Sequence, residues 1–391
     1  MSKESISAGM QHQLQIYFGG TQNIKPQLPV SFEALEQRAR EILKPETFDY
    51  IAGGAGSEIT MHNNRVAFNH WQIIPRMMGD VSNRDIGIEL FSKKLPTPLL
   101  LAPVGVLSLA HPKAEIAVAL AAKHLRVPQV VSTVSSRTIE EIAAASDSNP
   151  HWFQLYWGRN DDFTRSMIGR AEKAGYSAIV VTLDTRLFAW RERDIQNAYL
   201  PFLYNEGLAN YLSDSVFLAE IGDPSKDKIK MMTHFADCFS NPSSTWKDLS
   251  VIRNCTKLPL IVKGIQQSDD AKKAIDHGVD GIIVSNHGGR QLDGAIGAID
   301  TLGGIADAVG NETTILFDSG IRRGADVFKA MALGAKAVLI GRPYAYGLAI
   351  AGEQGVKEVI ANLLADVDLT MGLAGCSSWS EVTRERLTKI S

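Results

Sequence analysis

The sequence predicts an α/β fold, a (β/α)8 TIM barrel with an N-terminal helical cap and a long lid insertion after strand 4. Three observations point to it. Eight apolar runs lack the alternation of half-buried strands: 98–103, 128–133, 152–156, 178–183, 258–263, 280–285, 314–318 and 336–340. Such runs belong to strands buried on both faces, as in parallel sheets. Neighbouring runs start roughly 22 to 34 residues apart, room for one returning helix, whereas the fourth and fifth are separated by about 80. A glycine-led phrase recurs as Gly175-Tyr-Ser-Ala-Ile-Val-Val, Gly278-Val-Asp-Gly-Ile-Ile-Val and Gly334-Ala-Lys-Ala-Val-Leu-Ile, each after an amphipathic stretch. Glycine there tolerates the left-handed conformation that closes a helix before the next strand. A doubly wound open sheet would want G-x-G-x-x-G after an early strand, and none follows one.

The elements follow in order. Ser31 caps a helix with Phe32, Leu35, Ala39 and Leu43 on one face, and Pro45 opens another that ends at Gly53-Gly54. Residues 1–95 form this N-terminal segment and cap; 96–385 form the barrel. Pro98 to Ala110 is the most apolar stretch, too short to span a bilayer and interrupted by Pro103 and Gly105, so it is a buried strand entering a turn. The insertion, about 186–250, mixes polar stretches such as Asp223 to Lys230 with aromatics. It is expected as a mobile lid, the alternative being surface decoration.

Composition fits an ordinary globular protein: 391 residues, 45% hydrophobic and 21% charged. Forty basic against 43 acidic residues leave a net charge of −3, with no block of like charge. No nucleic-acid or membrane footprint is present, which leaves small molecules as partners. Cys238, Cys255 and Cys376 form no C-x-x-C pair, so no metal site is expected. Residues 1–10 lack a continuous apolar core, and the C-terminal TKIS is neither a lipidation box nor a peroxisomal tripeptide. A cytoplasmic location is the expectation.

A barrel places its reactive side chains at the C-terminal ends of its strands. In order those ends present Gly105, Ser132, Gln154 with Tyr156, Thr182 with Asp184, Lys263, Ser285 with His287, Asp318, and Gly341 with Arg342. After strand 7 comes Asp318-Ser-Gly-Ile-Arg-Arg-Gly324 and after strand 8 Ile340-Gly-Arg-Pro343, glycine-plus-arginine turns at the barrel's usual phosphate site. A phosphorylated ligand is implied. Strand 6 runs into Ser285-Asn-His-Gly-Gly-Arg-Gln-Leu-Asp293. His287 there can take a proton near neutral pH and Arg290 can hold a carboxylate, while Asp184 could orient the ring and stabilise its protonated form. For Lys263 two readings compete: stabilising negative charge on a cofactor, or forming a Schiff base with a carbonyl substrate.

At these residues the chain resembles the FMN-dependent 2-hydroxy acid oxidases, the family of glycolate oxidase, lactate oxidase and lactate monooxygenase. The match rests on Ser285-Asn-His-Gly-Gly-Arg-Gln291, with Asp49-Tyr-Ile-Ala-Gly-Gly54, Phe153-Gln-Leu-Tyr156, Val262-Lys-Gly264, Phe317-Asp-Ser-Gly-Ile-Arg-Arg323 and Gly341-Arg-Pro343. It implies an FMN-binding barrel acting on a small 2-hydroxy acid with dioxygen. It implies His287 as catalytic base paired with Asp184, and Tyr156 bonding the substrate hydroxyl. Tyr50, Arg191 and Arg290 would grip the carboxylate. Lys263 becomes the charge beside the flavin N1 and O2 region. Gln154, Ser132 and Thr182 would bond the isoalloxazine edge; Gly320, Arg322, Gly341 and Arg342 the phosphate; Ser285 and Asp318 neighbouring flavin or ribityl atoms. A homotetramer or octamer is also implied.

Within the family, the segment before Ser31 is too short for a haem domain, and Asp223 to Lys230 argues against a membrane anchor in the long loop. An oxygen-using soluble enzyme remains. Pro103, Val104 and Gly105 place glycine beside the flavin, where oxidases of the family usually carry alanine. There, in Tyr17 to Gly20, in Asp184 to Arg193 and in the long lid, the chain resembles the lactate monooxygenases. The implied outcome is acetate, carbon dioxide and water when pyruvate is kept in the site; pyruvate that escapes first leaves with hydrogen peroxide instead. Val134 stands where glycolate oxidase has tryptophan, which leaves the distal pocket open. Two other classes stay as alternatives, a Schiff-base lyase using Lys263 and a flavin binder without turnover.

Overall fold

The computed structural model describes residues 7–390. The leader expectation for residues 1–6, and the last residue of TKIS, lie outside the described residues. Eight parallel strands close into a barrel: β1 (Leu99–Leu101), β2 (Gln129–Ser132), β3 (His151–Tyr156), β4 (Ile179–Thr182), β5 (Leu260–Ile265), β6 (Gly281–Val284), β7 (Thr314–Phe317) and β8 (Ala337–Ile340). Each pairs with its sequence neighbours, and β8 returns to β1. All eight expected strands form, within two residues of their sequence limits. Gly175, Gly278 and Gly334 have φ of +88°, +79° and +111°, the left-handed helix exits that the repeated phrase calls for.

Strand periodicity explains both the missing alternation and the location of the chemistry. Outward side chains such as Leu101, Phe153, Val181 and Val262 pack beneath the surrounding helices. Inward ones, Leu100, Val130, Trp152, Val180, Ile261, Ile283, Leu316 and Leu339, form a separate cluster inside the barrel. Each such burial contributes about 1.5–3 kcal/mol, so both faces must be apolar. Two residues further along, the inward positions are Ala102, Ser132, Gln154, Thr182, Lys263, Ser285, Asp318 and Gly341. The interior therefore turns from apolar to mostly polar at one level, the C-terminal rim. The opposite end is closed by an antiparallel hairpin, Ile88–Leu90 with Lys93–Leu95. Its Leu90 and Leu95 join the interior cluster, and Phe91 meets Trp152 edge-on at 5.8 Å.

The cap begins as expected: the Ser31 hydroxyl accepts the Ala34 N–H at 3.3 Å at the start of Phe32–Ile42, and Pro45 opens Pro45–Ala52. The insertion expected as a lid is present after β4 and folds as a helical layer. Helices Ser215–Ile221 and Lys228–Phe239 bury Phe217, Phe235 and Phe239 against Phe202 and Tyr211. Phe239 reaches Tyr156, ring centroids 4.5 Å apart. The aromatics scattered through the insertion are a core of their own, joined to the barrel, and the stretch after Gly222 is its exposed outer turn. Among the described residues no helix is long and apolar enough to cross a membrane, and Cys238, Cys255 and Cys376 are free.

Candidate active site

The loop after β6 takes three consecutive left-handed residues, His287 (φ +60°), Gly288 (φ +64°) and Gly289 (φ +77°). The two glycines adopt it readily, whereas the histidine is held there at a strain of about 1–2 kcal/mol. Hydroxyls hold the loop: Ser285 accepts the His287 N–H at 3.0 Å, and Ser319 accepts those of Gly288 and Asn286 at 3.0 and 3.2 Å. The ring that results is aimed at β4. Its Nδ1 stands 2.8 Å from Asp184 Oδ1, and Thr185 lies 3.4 Å away. A bulge in β5 makes room for this pair, since a Cβ on Gly264 (φ +109°) would fall 2.8 Å from the Asp184 Cβ.

An Nδ1–H donated to Asp184 leaves Nε2 as the basic atom of His287. Burial lowers the pKa of this imidazole; Asp184 pulls it up, Lys263 and Arg191 push it down, and the balance stays below the ordinary value. The expected stabilisation of the protonated ring is thus present but outweighed, and the resting ring is neutral at pH 7. Burial raises the Asp184 carboxyl, but His287 and Lys263 more than offset it and hold it charged.

His287 lines one cavity together with Tyr50, Tyr156, Arg191, Arg290 and Lys263. The guanidinium carbons of Arg290 and Arg191 lie 5.3 and 5.9 Å from the Tyr50 ring centroid. Arg290 donates to the Gly53 carbonyl at 2.7 Å, and burial with Arg191 nearby lowers its pKa to about 9. Arg191 is paired with Asp194 at 3.6 Å, whereas Arg290 has no carboxylate partner, so the two guanidiniums together can receive a substrate carboxylate. Burial also raises the Tyr156 pKa, keeping its phenol protonated.

The same cavity continues past Lys263, 3% exposed with Nζ 3.6 Å from Asp318 Oδ2, to Gly320, Arg322, Gly341 and Arg342. The two arginines differ. Arg342 is committed to the backbone, donating to the carbonyls of Ala52, Gly288 and Gly53 at 3.0, 2.9 and 2.8 Å. Arg322 lies 4.0 Å from the Phe32 ring centroid, its buried Nε has no partner, and burial beside Arg342 lowers its pKa to about 9. One of its other nitrogens donates to the Ile321 carbonyl at 2.8 Å, so a guanidinium with its Nε–H left free beside glycine turns fits a phosphate.

The sequence matches the FMN-dependent dehydrogenase family model over residues 39–389. The chain belongs to the FMN-dependent dehydrogenase family. An L-lactate oxidase of Lysinibacillus sphaericus is 45% identical over 350 residues, 90% of each chain. An FMN-dependent alpha-hydroxy acid dehydrogenase of Penicillium citrinum is 43% identical over 385 residues, 97% of this chain and 96% of that one. A crystal structure of mandelate oxidase superposes with a TM-score of 0.81 at 41% identity, covering 92% of this chain and 98% of that one. As a member of this family the protein is an FMN-dependent oxidoreductase acting on 2-hydroxy acids.

For an FMN-dependent dehydrogenase the residues present fit the cofactor: a buried lysine midway, and an arginine with a free donor at the phosphate end. Pro103, Val104, Gly105, Lys263, Asp318, Gly320, Arg322, Gly341 and Arg342 all line the cavity. Ser132, Gln154 and Thr182 do not reach its lining. They form a buried chain across β2, β3 and β4, Ser132 Oγ to Gln154 Oε1 at 3.0 Å and Gln154 Nε2 to Thr182 Oγ1 at 2.9 Å. Ser285 and Asp184 likewise stand behind the lining. Three contributors escaped the sequence reading. Ser319 lies inside a motif already singled out. Asn64 and Asn286 exchange amide hydrogen bonds at 2.7 Å and join the cap to the His287 loop. Nothing in a pair 222 positions apart announces that contact.

Proposed function

We propose that the protein oxidises L-lactate with dioxygen in the manner of a lactate 2-monooxygenase, giving acetate, carbon dioxide and water. Arg290, Arg191 and Tyr50 hold the substrate carboxylate, and Tyr156 hydrogen-bonds the hydroxyl. His287 Nε2 accepts the hydroxyl proton, and Asp184 neutralises the imidazolium that forms. Lys263 supplies positive charge beside the flavin ring, and Gly320, Arg322 and Gly341 bind the phosphate, with Arg342 acting through its field. Ser132, Gln154, Thr182 and Ser285 fix the rim from the layer beneath it, and Asp318 sets the position of Lys263. Bound there, FMN accepts the two electrons taken from the substrate and returns them to dioxygen. In this division of labour residues 96–385 bind FMN, and residues 1–95 close the site with Tyr50.

The observation that carries the monooxygenase reading is the wall beside Gly105. A Cβ on Gly105 would lie 2.5 Å from Val134 Cγ2, so valine fills that space, and the packed insertion lies directly behind. A closely packed wall with the insertion over it favours retention of pyruvate, which peroxide then attacks at its keto carbon. The second reading, release of pyruvate with hydrogen peroxide, is favoured by the similarity to L-lactate oxidases. The deciding experiment supplies L-lactate in air and quantifies acetate, pyruvate and peroxide, with catalase in a parallel sample. Acetate unaffected by catalase supports the monooxygenase; pyruvate with equimolar peroxide supports the oxidase. We also propose a cytoplasmic homotetramer or octamer, whose interfaces would cover the exposed Leu187, Trp190 and Leu292. Light scattering on the holoenzyme checks the assembly.

A further inference from the structure

One side chain of the insertion bonds to the loop that carries part of the cavity wall. Glu206 is half-buried in the turn between Pro201–Tyr204 and Ala209–Leu212, a turn made by two left-handed residues, Asn205 (φ +62°) and Gly207 (φ +74°). Its carboxylate accepts a hydrogen bond from the Ser108 hydroxyl. Ser108 Oγ in turn lies 2.8 Å from Ser136 Oγ, and the Ser108 N–H donates to that same oxygen at 3.2 Å. Ser108 is three residues beyond Gly105, and Ser136 two beyond Val134. The two loops are also tied by the Val106 N–H to the Val134 carbonyl at 2.8 Å.

The backbone beside Glu206 makes the same approach. A Cβ on Gly207 would fall 2.7 Å from Val106 Cγ2 and 3.0 Å from the Val134 carbonyl oxygen, so only glycine lets the insertion lie this close. From the barrel side Glu115 holds the other face, its Oε1 accepting the N–H groups of Leu107 and Ser136 at 3.2 and 3.0 Å. The loops carrying Gly105 and Val134 are therefore clamped between two carboxyl groups, one on a barrel helix and one on the insertion.

We propose that Glu206 is a positioning residue that fixes the insertion to the Gly105–Val134 wall and thereby sets how tightly the 2-oxo acid product is held. The proposal rests on the reading of this site as a 2-hydroxy acid oxidation site that retains its product. The role needs an acceptor at position 206, not a charge, so glutamine serves in place of glutamate.

The test titrates pyruvate into oxidised holoenzyme, following the flavin absorbance, for wild type, Glu206→Ala, Glu206→Gln and Ser108→Ala. The loss of one hydrogen bond corresponds to a change in affinity of up to about tenfold. Glu206→Ala and Ser108→Ala are each expected to weaken pyruvate about tenfold, Glu206→Gln to retain it, and the double alanine variant to lose no more than either single one. With L-lactate in air the two alanine variants should shift product from acetate to pyruvate and peroxide. Pyruvate affinity unchanged in both alanine variants at full FMN occupancy overturns the proposal, as does equal weakening in Glu206→Gln. Should wild type form no acetate, the monooxygenase reading falls, and the pyruvate titration still decides the role of Glu206.

Discussion

Val134 occupies the space that a methyl group on residue 105 would need: 2.5 Å separates its Cγ2, and 2.8 Å its carbonyl oxygen, from the Cβ position of Gly105. The two residues are one steric unit. Gly105→Ala is expected to destabilise the holoenzyme by about 1–3 kcal/mol through overpacking. Val134→Ala should relieve part of this, because the side-chain clash disappears and the carbonyl contact stays. A thermal double-mutant cycle with FMN occupancy measured alongside checks it; equal Tm for wild type and Gly105→Ala contradicts it.

The His287–Asp184 pair gives a kinetic prediction. His287→Ala should bind FMN normally while flavin reduction by L-lactate slows by about a thousandfold or more. Asp184→Asn should slow it too, since the imidazolium loses its counter-ion. Anaerobic stopped-flow bleaching reads both, and a His287→Ala rate near wild type removes the base assignment.

The same pair fixes the direction of the pH profile. His287 works unprotonated, and burial holds its pKa below 6.5. kcat/KM should therefore be level at neutral pH and fall only as the pH drops below that value. In Asp184→Asn the acid limb should move lower still, because the one strong influence raising the pKa is gone. An acid limb above pH 7 would contradict a resting neutral ring.

Arg290 reaches the Gly53 carbonyl with one nitrogen and keeps others free beside Tyr50. Arg290→Lys keeps the charge but not the planar fork. The expected result is a rise in KM for L-lactate of about tenfold or more, with a smaller change in kcat. Steady-state kinetics at saturating oxygen tests it.

Glu115 is a stability prediction separate from catalysis. Burial raises its pKa from 4.5 to about 7, against the pull of the N–H groups of Ser136 and Leu107. The folded state therefore holds a proton that the unfolded state has released. The stabilisation is complete below about pH 4.5 and is lost as pH rises through about 7, an effect of about 3 kcal/mol. Glu115→Gln should flatten this dependence and be the more stable protein at pH 8. Urea denaturation between pH 5 and 8 measures it.

Much of this was legible in the sequence because it follows from local rules. Unalternated runs located the strands, since both faces of each are buried, and strand-end polarity located Lys263, Asp318 and His287. Arg342 shows where such rules stop. Its place beside glycine marks it as an anion ligand, yet all three of its nitrogens meet backbone carbonyls of Ala52, Gly53 and Gly288. The sequence cannot show which of two arginines keeps a nitrogen without any partner, because the carbonyls that engage Arg342 come from distant loops. The inner packing of the insertion was illegible for a related reason: polar stretches such as Asp223 to Lys230 interrupt it, and Phe202, Tyr211, Phe217, Phe235 and Phe239 find one another only in three dimensions.

The hairpin at the foot of the barrel has a consequence for traffic. With Phe91 set against Trp152 and Leu90 and Leu95 filling the interior, no passage leads through the axis. The 2-hydroxy acid and its product must share the approach from the rim. Arrival of one reactant and departure of another are then events in competition, and the order in which they happen is decided by whichever group stands at that entrance.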